Sequence, residues 1–144
     1  MARMRTGSAM LAAGILVSVV SAASAWAGGP SGVVEGDDNI SQAVGSGVLD
    51  GTLVGYTATS VDNAAASAAV VAVCEQAGAV ECSRDEVTND NLCVVSVGAD
   101  DGSGVVAGGA GVTVEAARDE AFRHAETAGA PLDPAARILA SACP

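Results

Sequence analysis

Apolar and polar positions follow two rhythms along this chain, and the order of the rhythms occurs twice. "NISQAV" at 39–44 opens a short apolar run, a Gly/Asp turn interrupts it, "TLVG" at 52–55 resumes it, and "NAAASAAV" at 63–70 changes to helical spacing. With an offset of 52 residues, "NLCVVS" at 91–96, "GVVA" at 104–107 and "EAARDEAF" at 115–122 repeat that order. Each half continues into one more strand candidate, 82–87 in the first and 137–142 in the second. Period-2 runs bounded by Gly and Asp read as strands, and apolar positions three and four apart read as helix. The halves fall at about 39–90 and 91–144.

The helix ends carry their own signals. Thr113 can cap the second helix, and Glu115, Asp119 and Glu120 fall in its early turns, where the dipole favours negative charge. Val114, Ala117, Ala121, Phe122 and Ala125 form its apolar face, and Gly129 and Pro131 stop it. The first helix runs from about residue 62 to 76, capped by Ser60 or Asp62 and ended by Gly78. By equivalence its apolar positions are Ala65, Ala69, Val70 and Val73. "GADDGSG" at 98–104 is a hairpin turn, which makes Asp100 and Asp101 turn residues rather than metal ligands.

The first 27 residues have a different character. "MARMRTGSAM" carries Arg3 and Arg5 without an acid, "LAAGILVSVV" is apolar or small throughout, and "SAASAWA" ends in a small-x-small pattern. That order predicts a secretory signal peptide, 1–27, cleaved after Ala27. The apolar run is about half the roughly 20 residues a membrane span needs, and no later segment is long enough, so the mature chain has no span. "GGPSGVVEGDD" at 28–38 reads as a flexible acidic leader, and 39–144 as a single domain. The predicted destination is the extracellular space or the cell envelope.

Cleavage changes the charge. The whole chain stands at −11; without Arg3 and Arg5, four arginines face 17 acidic residues, a formal −13. Phosphate-rich partners are repelled, which excludes nucleic acid and anionic lipid surfaces. A solvated exterior is the plain explanation of the acidity, and a basic protein partner the sharper one. Trp26 leaves with the signal, so Tyr56 and Phe122 are the remaining aromatics. A core of Val, Ala, Leu and Ile buries little area per side chain at roughly 25 cal/mol per Å². Small exported domains with thin cores are commonly stapled by disulfides. Cys74, Cys82, Cys93 and Cys143 all lie in the exported part and allow three pairings. The fold class is therefore α+β, two pseudo-repeated strand-strand-helix-strand units forming one small disulfide-stapled domain.

Motifs for chemistry are sparse. His124 is the lone histidine; it lies one helical turn after Glu120, which allows a carboxylate–imidazole pair. A nucleophile–base arrangement would need a serine or cysteine beside it, and no G-x-S-x-G elbow occurs. "GDDNIS" at 36–41 begins like a calcium loop with Asp37, Asn39 and Ser41, but position six is Gln42 and position twelve Val48, so the tight turn and the bidentate ligand are missing. The spacing of Gly102, Gly104 and Gly108 precedes a strand with no Lys or Arg nearby, unlike a nucleotide loop. The cysteine spacings are not paired C-x2-C, which argues against zinc. Mixed signs on the second helix (Glu115, Asp119, Glu120 and Glu126 with Arg118 and Arg123) read as a solvated face. The sequence assigns no catalytic, cofactor-binding or metal-ligating residue and implies no cofactor.

Four stretches resemble the secreted bacterial family catalogued as domain of unknown function 4189. "DNAAASAAVVAVC" runs into Cys74, with Cys82 after a short loop; "NLCVVSVGADDGSG" places Cys93 in a strand; "TVEAARDEAFRHA" is similar to the family's second helix; and "RILASAC" closes on Cys143. The resemblance covers roughly 39–144, and the cysteine order is its specific part. The chain departs from the pattern at Ser141 and Ala142, where the family often has a Trp, and at Val94 and Val95, which follow the third cysteine. The resemblance implies the α+β fold and the pairings Cys74–Cys82 and Cys93–Cys143. The first pair would flank a short loop between a helix end and the next strand. The second would fasten the chain's tail to the start of the second half.

Three expectations of function follow. The leading one is a small secreted, disulfide-stabilised domain that acts by binding, or as an envelope or extracellular accessory protein, with no chemistry assigned. The second is a secreted effector or inhibitor of a basic protein. The third is a hydrolase using His124 with an acidic neighbour.

Overall fold

Asp50 and Gly51 both take left-handed backbone angles, φ 51° and 80°. A two-residue turn of that hand matches the twist of the strands it joins. It connects β1 (Ser41–Leu49) to β2 (Thr52–Ser60), which pair antiparallel without a break from Ser41↔Ser60 to Leu49↔Thr52. A computed structural model describes residues 40–144. The predicted signal peptide at 1–27 and leader at 28–38, with the calcium-like residues Asp37 and Asn39, lie outside the described residues.

The remaining elements are α1 (Asn63–Gln76), β3 (Val80–Thr88), β4 (Cys93–Gly98), β5 (Val106–Gly111), α2 (Val114–Thr127) and β6 (Arg137–Ala142). Both helices start and stop by the same local chemistry. The Asp62 carboxylate accepts the Ala65 N–H at 2.7 Å, and the Thr113 hydroxyl accepts the Ala116 N–H at 3.1 Å. At the far ends Gly78 donates to Glu75 O and Ala79 to Cys74 O, while Gly129 donates to Glu126 O and Ala130 to Ala125 O. These paired bonds are the Schellman closure, with glycine at the left-handed position each time.

Two three-stranded antiparallel sheets result, ordered β2-β1-β3 and β5-β4-β6. Successive residues of a strand point to opposite faces, and the apolar clusters show what each face meets. On β1, Ala43 packs with Ala66 and Val70 of α1, while its neighbour Val44 packs with Val94 and Ala140 of the other sheet. On β4, Val95 and Val97 turn the other way, onto Ala117, Ala121 and Ala125 of α2. The molecule is therefore four layers deep: α1, first sheet, second sheet, α2. Across the middle, β2 packs on β6 and β3 on β5. This reciprocal match relates the two units by an approximate two-fold, and the fold is the expected α+β pair of similar units.

Small side chains let these layers come close. A Cβ on Gly109 of β5 would collide with the carbonyl oxygen of Ala117 and the amide of Ala121, so strand and helix backbones are nearly in contact there. Gly55 of β2 does the same against the backbone of Leu139 in β6. Two bridges add to this, Cys74–Cys82 from the end of α1 to β3, and Cys93–Cys143 from the start of β4 to the residue after β6. No described cysteine is free.

Three sequence expectations need correction. The buried positions of α1 are Ala66, Val70 and Cys74, not the set Ala65, Ala69, Val70 and Val73, and Val73 is 38% exposed. Alanine and valine surround this helix, so spacing could not choose a face; the Cys74 bridge and the contact with β1 choose it. The offset of 52 holds for the opening strands, which start at Ser41 and Cys93, but not beyond. The turn after β4 is longer than Asp50-Gly51, and α2 is followed by a longer connection than α1, so β5 starts at Val106 and β6 at Arg137. The closing strand of the first half also begins earlier than expected, at Val80.

Candidate functional site

α2 and β5 together set the position of His124. Helical spacing brings the ring one turn beyond Glu120, and Nε2 lies 3.4 Å from the Glu120 carboxylate. The other nitrogen, Nδ1, lies 2.8 Å from the carbonyl oxygen of Gly108 in β5. A carbonyl only accepts, so Nδ1 carries a hydrogen and donates it. The two groups of the expected carboxylate–imidazole pair lie together, forming an ion pair when the imidazole is protonated, and the bond to Gly108 adds a tie between helix and sheet. The His124 side chain is half exposed, at 51%.

Beside it is a shallow open depression of about 270 Å³, lined among others by Asp85, Val105, Gly108, His124 and Ala128. Asp85 of β3 accepts the Ser96 hydroxyl at 2.5 Å on one carboxylate oxygen and the Ser83 hydroxyl at 2.8 Å on the other. Ser96 is fully buried on β4. The bond is therefore a polar clamp between the two sheets, and it explains why β4 carries one serine within "CVVSVG". Sequence reasoning missed both residues; the lone polar position in an apolar strand was the available signal, because a buried hydroxyl needs a partner. Ser96→Ala is expected to cost about 2 kcal/mol, since it removes a hydrogen bond to a charged, half-buried group. Ser83→Ala, at an exposed position, should cost much less. Urea denaturation of the two variants checks the order.

Among the described residues no serine or cysteine is hydrogen-bonded to His124. Ser96 donates to Asp85, not to His124, and the cysteines are all in bridges. Both ring nitrogens of His124 face groups of the fold itself. Among the described residues no group of three or more His, Cys, Asp or Glu side chains is placed to hold a metal ion.

A second depression, about 260 Å³, is lined by Asp100, Asp101, Asp133 and Arg137 among others. Asp100 and Asp101 are turn residues as expected. The Asp101 carboxylate accepts the Ser103 N–H at 2.9 Å, and the Ser103 hydroxyl accepts the Val105 N–H at 3.1 Å. Hydrogen bonds from Ser103, its side chain first and then its backbone, hold the Asp101 carboxyl below the usual 3.8. A depressed carboxyl stabilises the turn above pH 3.8, and that contribution fades as pH falls through its lowered pKa. A carboxyl NMR titration should therefore place the Asp101 midpoint below 3.8. Arg137 pairs with Asp100 at 3.1 Å and donates to the Leu53 carbonyl at 3.0 Å, which joins β6 to β2 and to the hairpin turn. No sequence motif pointed to that contact.

Among the described residues no helix is long and apolar enough to cross a membrane. Comparison with protein-family models, with curated proteins and with solved structures finds no match.

Proposed function

We propose that this protein is an exported accessory protein of the envelope or extracellular space that works by binding rather than by turnover. The observation that carries this reading is the engagement of all four cysteines in two bridges. Paired cysteines persist in oxidising compartments, and the charged, apolar, small-residue order of 1–27 supplies a route there. The cysteine order, which resembles that of the domain of unknown function 4189 family, fits the same assignment. Binding is favoured over catalysis because Ser96, His124 and the cysteines are all engaged in holding the fold.

Expression with the native leader, followed by fractionation and non-reducing peptide mass spectrometry, tests the proposal. A chain starting at Gly28, outside the cytoplasm, with both bridges intact is the expected result. Retention of the first 27 residues with reduced thiols overturns export. A hydrolytic activity that disappears in His124→Ala overturns the binding reading.

One observation favours a second reading, an effector or inhibitor of a basic protein. Glu115, Asp119 and Glu126 stand exposed on α2, in a chain of net charge −11. A complex of that kind weakens as salt rises, because exposed charges are screened over about 8 Å at physiological ionic strength. Pull-down at low and high salt separates the two.

A further inference from the structure

The four sheet edges of the molecule are not equally protected. β3 is bulged at two places against β1 and carries Glu81, Arg84, Asp85 and Glu86. β5 is six residues long with three glycines, and β6 is six residues long and opens on the charged Arg137, whose guanidinium reaches the Leu53 carbonyl of β2 in the other sheet. Charges, bulges and shortness are the ordinary devices that keep an edge from pairing with another chain. β2 has none of them. It is nine residues, "TLVGYTATS", without charge, proline or bulge, and it lies at the open side of its sheet.

The backbone groups on that edge have a defined parity. Leu49 and Thr52 flank the two-residue turn and are the last hydrogen-bonded pair of the hairpin. Every second residue from Thr52 therefore turns its N–H and C=O toward β1, and Leu53, Gly55, Thr57 and Thr59 turn theirs outward. The Leu53 carbonyl is taken by Arg137. Gly55, Thr57 and Thr59 have no backbone partner on that edge among the described residues.

We infer that the β2 edge is a self-association surface, on which a second copy of this chain pairs antiparallel about a two-fold axis at Thr57. That register sets Thr57 against its own symmetry mate and Gly55 against Thr59 of the second copy, so the three free positions satisfy one another. The paired segment, 55–59, carries no charge, and Asp50 and Asp62 lie outside it, in the turn before β2 and at the α1 cap. A self-complementary patch is what a two-fold interface requires. Charge distribution favours a copy over a foreign acidic or basic strand. β2 is uncharged and α1, packed on it, carries Glu75 as its one charged side chain, while acidic groups cover α2 and the hairpin turn beyond β4. Two processed chains, each of formal charge −13, meet along the neutral side with most of their carboxylates turned away.

Sedimentation velocity on the oxidised protein, expressed with its own leader and taken as the host processes it, tests this up to about 100 μM. A dimer is expected. Thr57→Lys, at an exposed position, puts two ammonium groups together on the axis and should abolish it. Val112→Lys, the same charge change at a loop position 80% exposed, should leave it intact. In the unaltered protein, amide exchange at Gly55, Thr57 and Thr59 should slow as concentration rises, which keeps the test decisive should the lysine variant not fold. A monomer throughout the range, a dimer that survives Thr57→Lys, or exchange at those amides indifferent to concentration overturns the inference.

Discussion

Removal of the Cys93–Cys143 bridge, as Cys93→Ala with Cys143→Ala, is expected to cost about 4 kcal/mol. The bridge closes a segment of 50 residues, against 8 for Cys74–Cys82, and the chain-entropy penalty it removes from the unfolded state grows with the logarithm of that length. The shorter bridge should be worth about 2.5 kcal/mol on the same account. Set against a typical net stability of about 5–15 kcal/mol, the first loss takes a large share. It also releases the tail: β6 is an edge strand of six residues, and without the bridge no covalent link ties its end to β4. Urea denaturation of both double variants is the measurement. Equal midpoints for the two, or a Cys93/Cys143 variant as stable as the unaltered protein, would show that the tail is held by other means.

Gly109→Val is the second large effect, a loss of about 3 kcal/mol from overpacking. The colliding atoms are the Ala117 carbonyl and the Ala121 amide, inside the hydrogen-bonded body of α2. Backbone of this kind cannot swing aside as a flexible side chain would. The helix must retreat as a unit, and Val95, Val97, Ala117 and Ala121 then lose the contacts that make their cluster. A suitable comparison is Gly102→Ala in the hairpin turn. There φ is +78° and open space surrounds the added carbon, so conformational strain of about 1–2 kcal/mol is the whole cost. Thermal melts should rank Gly109→Val well below Gly102→Ala, and the reverse ranking would mean that α2 does not sit so close to β5.

These two effects share a cause. With Tyr56 and Phe122 as the aromatics of the described domain, large side chains cannot fill space between layers. The chain brings its layers together instead, through glycine and alanine at the contacts, and ties two of its ends with sulfur. Phe122 is half-buried at the margin of the α2 cluster, with the Arg118 guanidinium 4.5 Å above its ring. Tyr56 lies beside the α1 cluster.

Legibility in the sequence followed the range of the interaction. Asp62, Gly78, Thr113 and Gly129 act within a few residues of themselves, and each ends a helix where its type predicts. The α2 face was equally plain, because Arg118, Asp119, Arg123 and Glu126 contrast with Ala117, Ala121 and Ala125. α1 lacks such contrast: its alanines and valines mark no side, and helical spacing alone puts its buried face one residue from where it lies. The Asp85–Ser96 clamp, the His124–Gly108 bond and the Arg137–Leu53 contact each join different strands or layers, and none has a spacing rule that announces it.

By itself, the sequence determined the two repeated units, the ends of both helices, the turn at 98–104 and the strand that closes on the final cysteine. All of these depend on periodicity and on capping or turn residues, which act over a few positions of chain. Tertiary structure alone decided which way α1 faces, how the two sheets stack so that β2 meets β6 and β3 meets β5, and what Ser96 and His124 hold. Those outcomes depend on how closely two backbones can approach, and that distance is set by the residues on both surfaces at once.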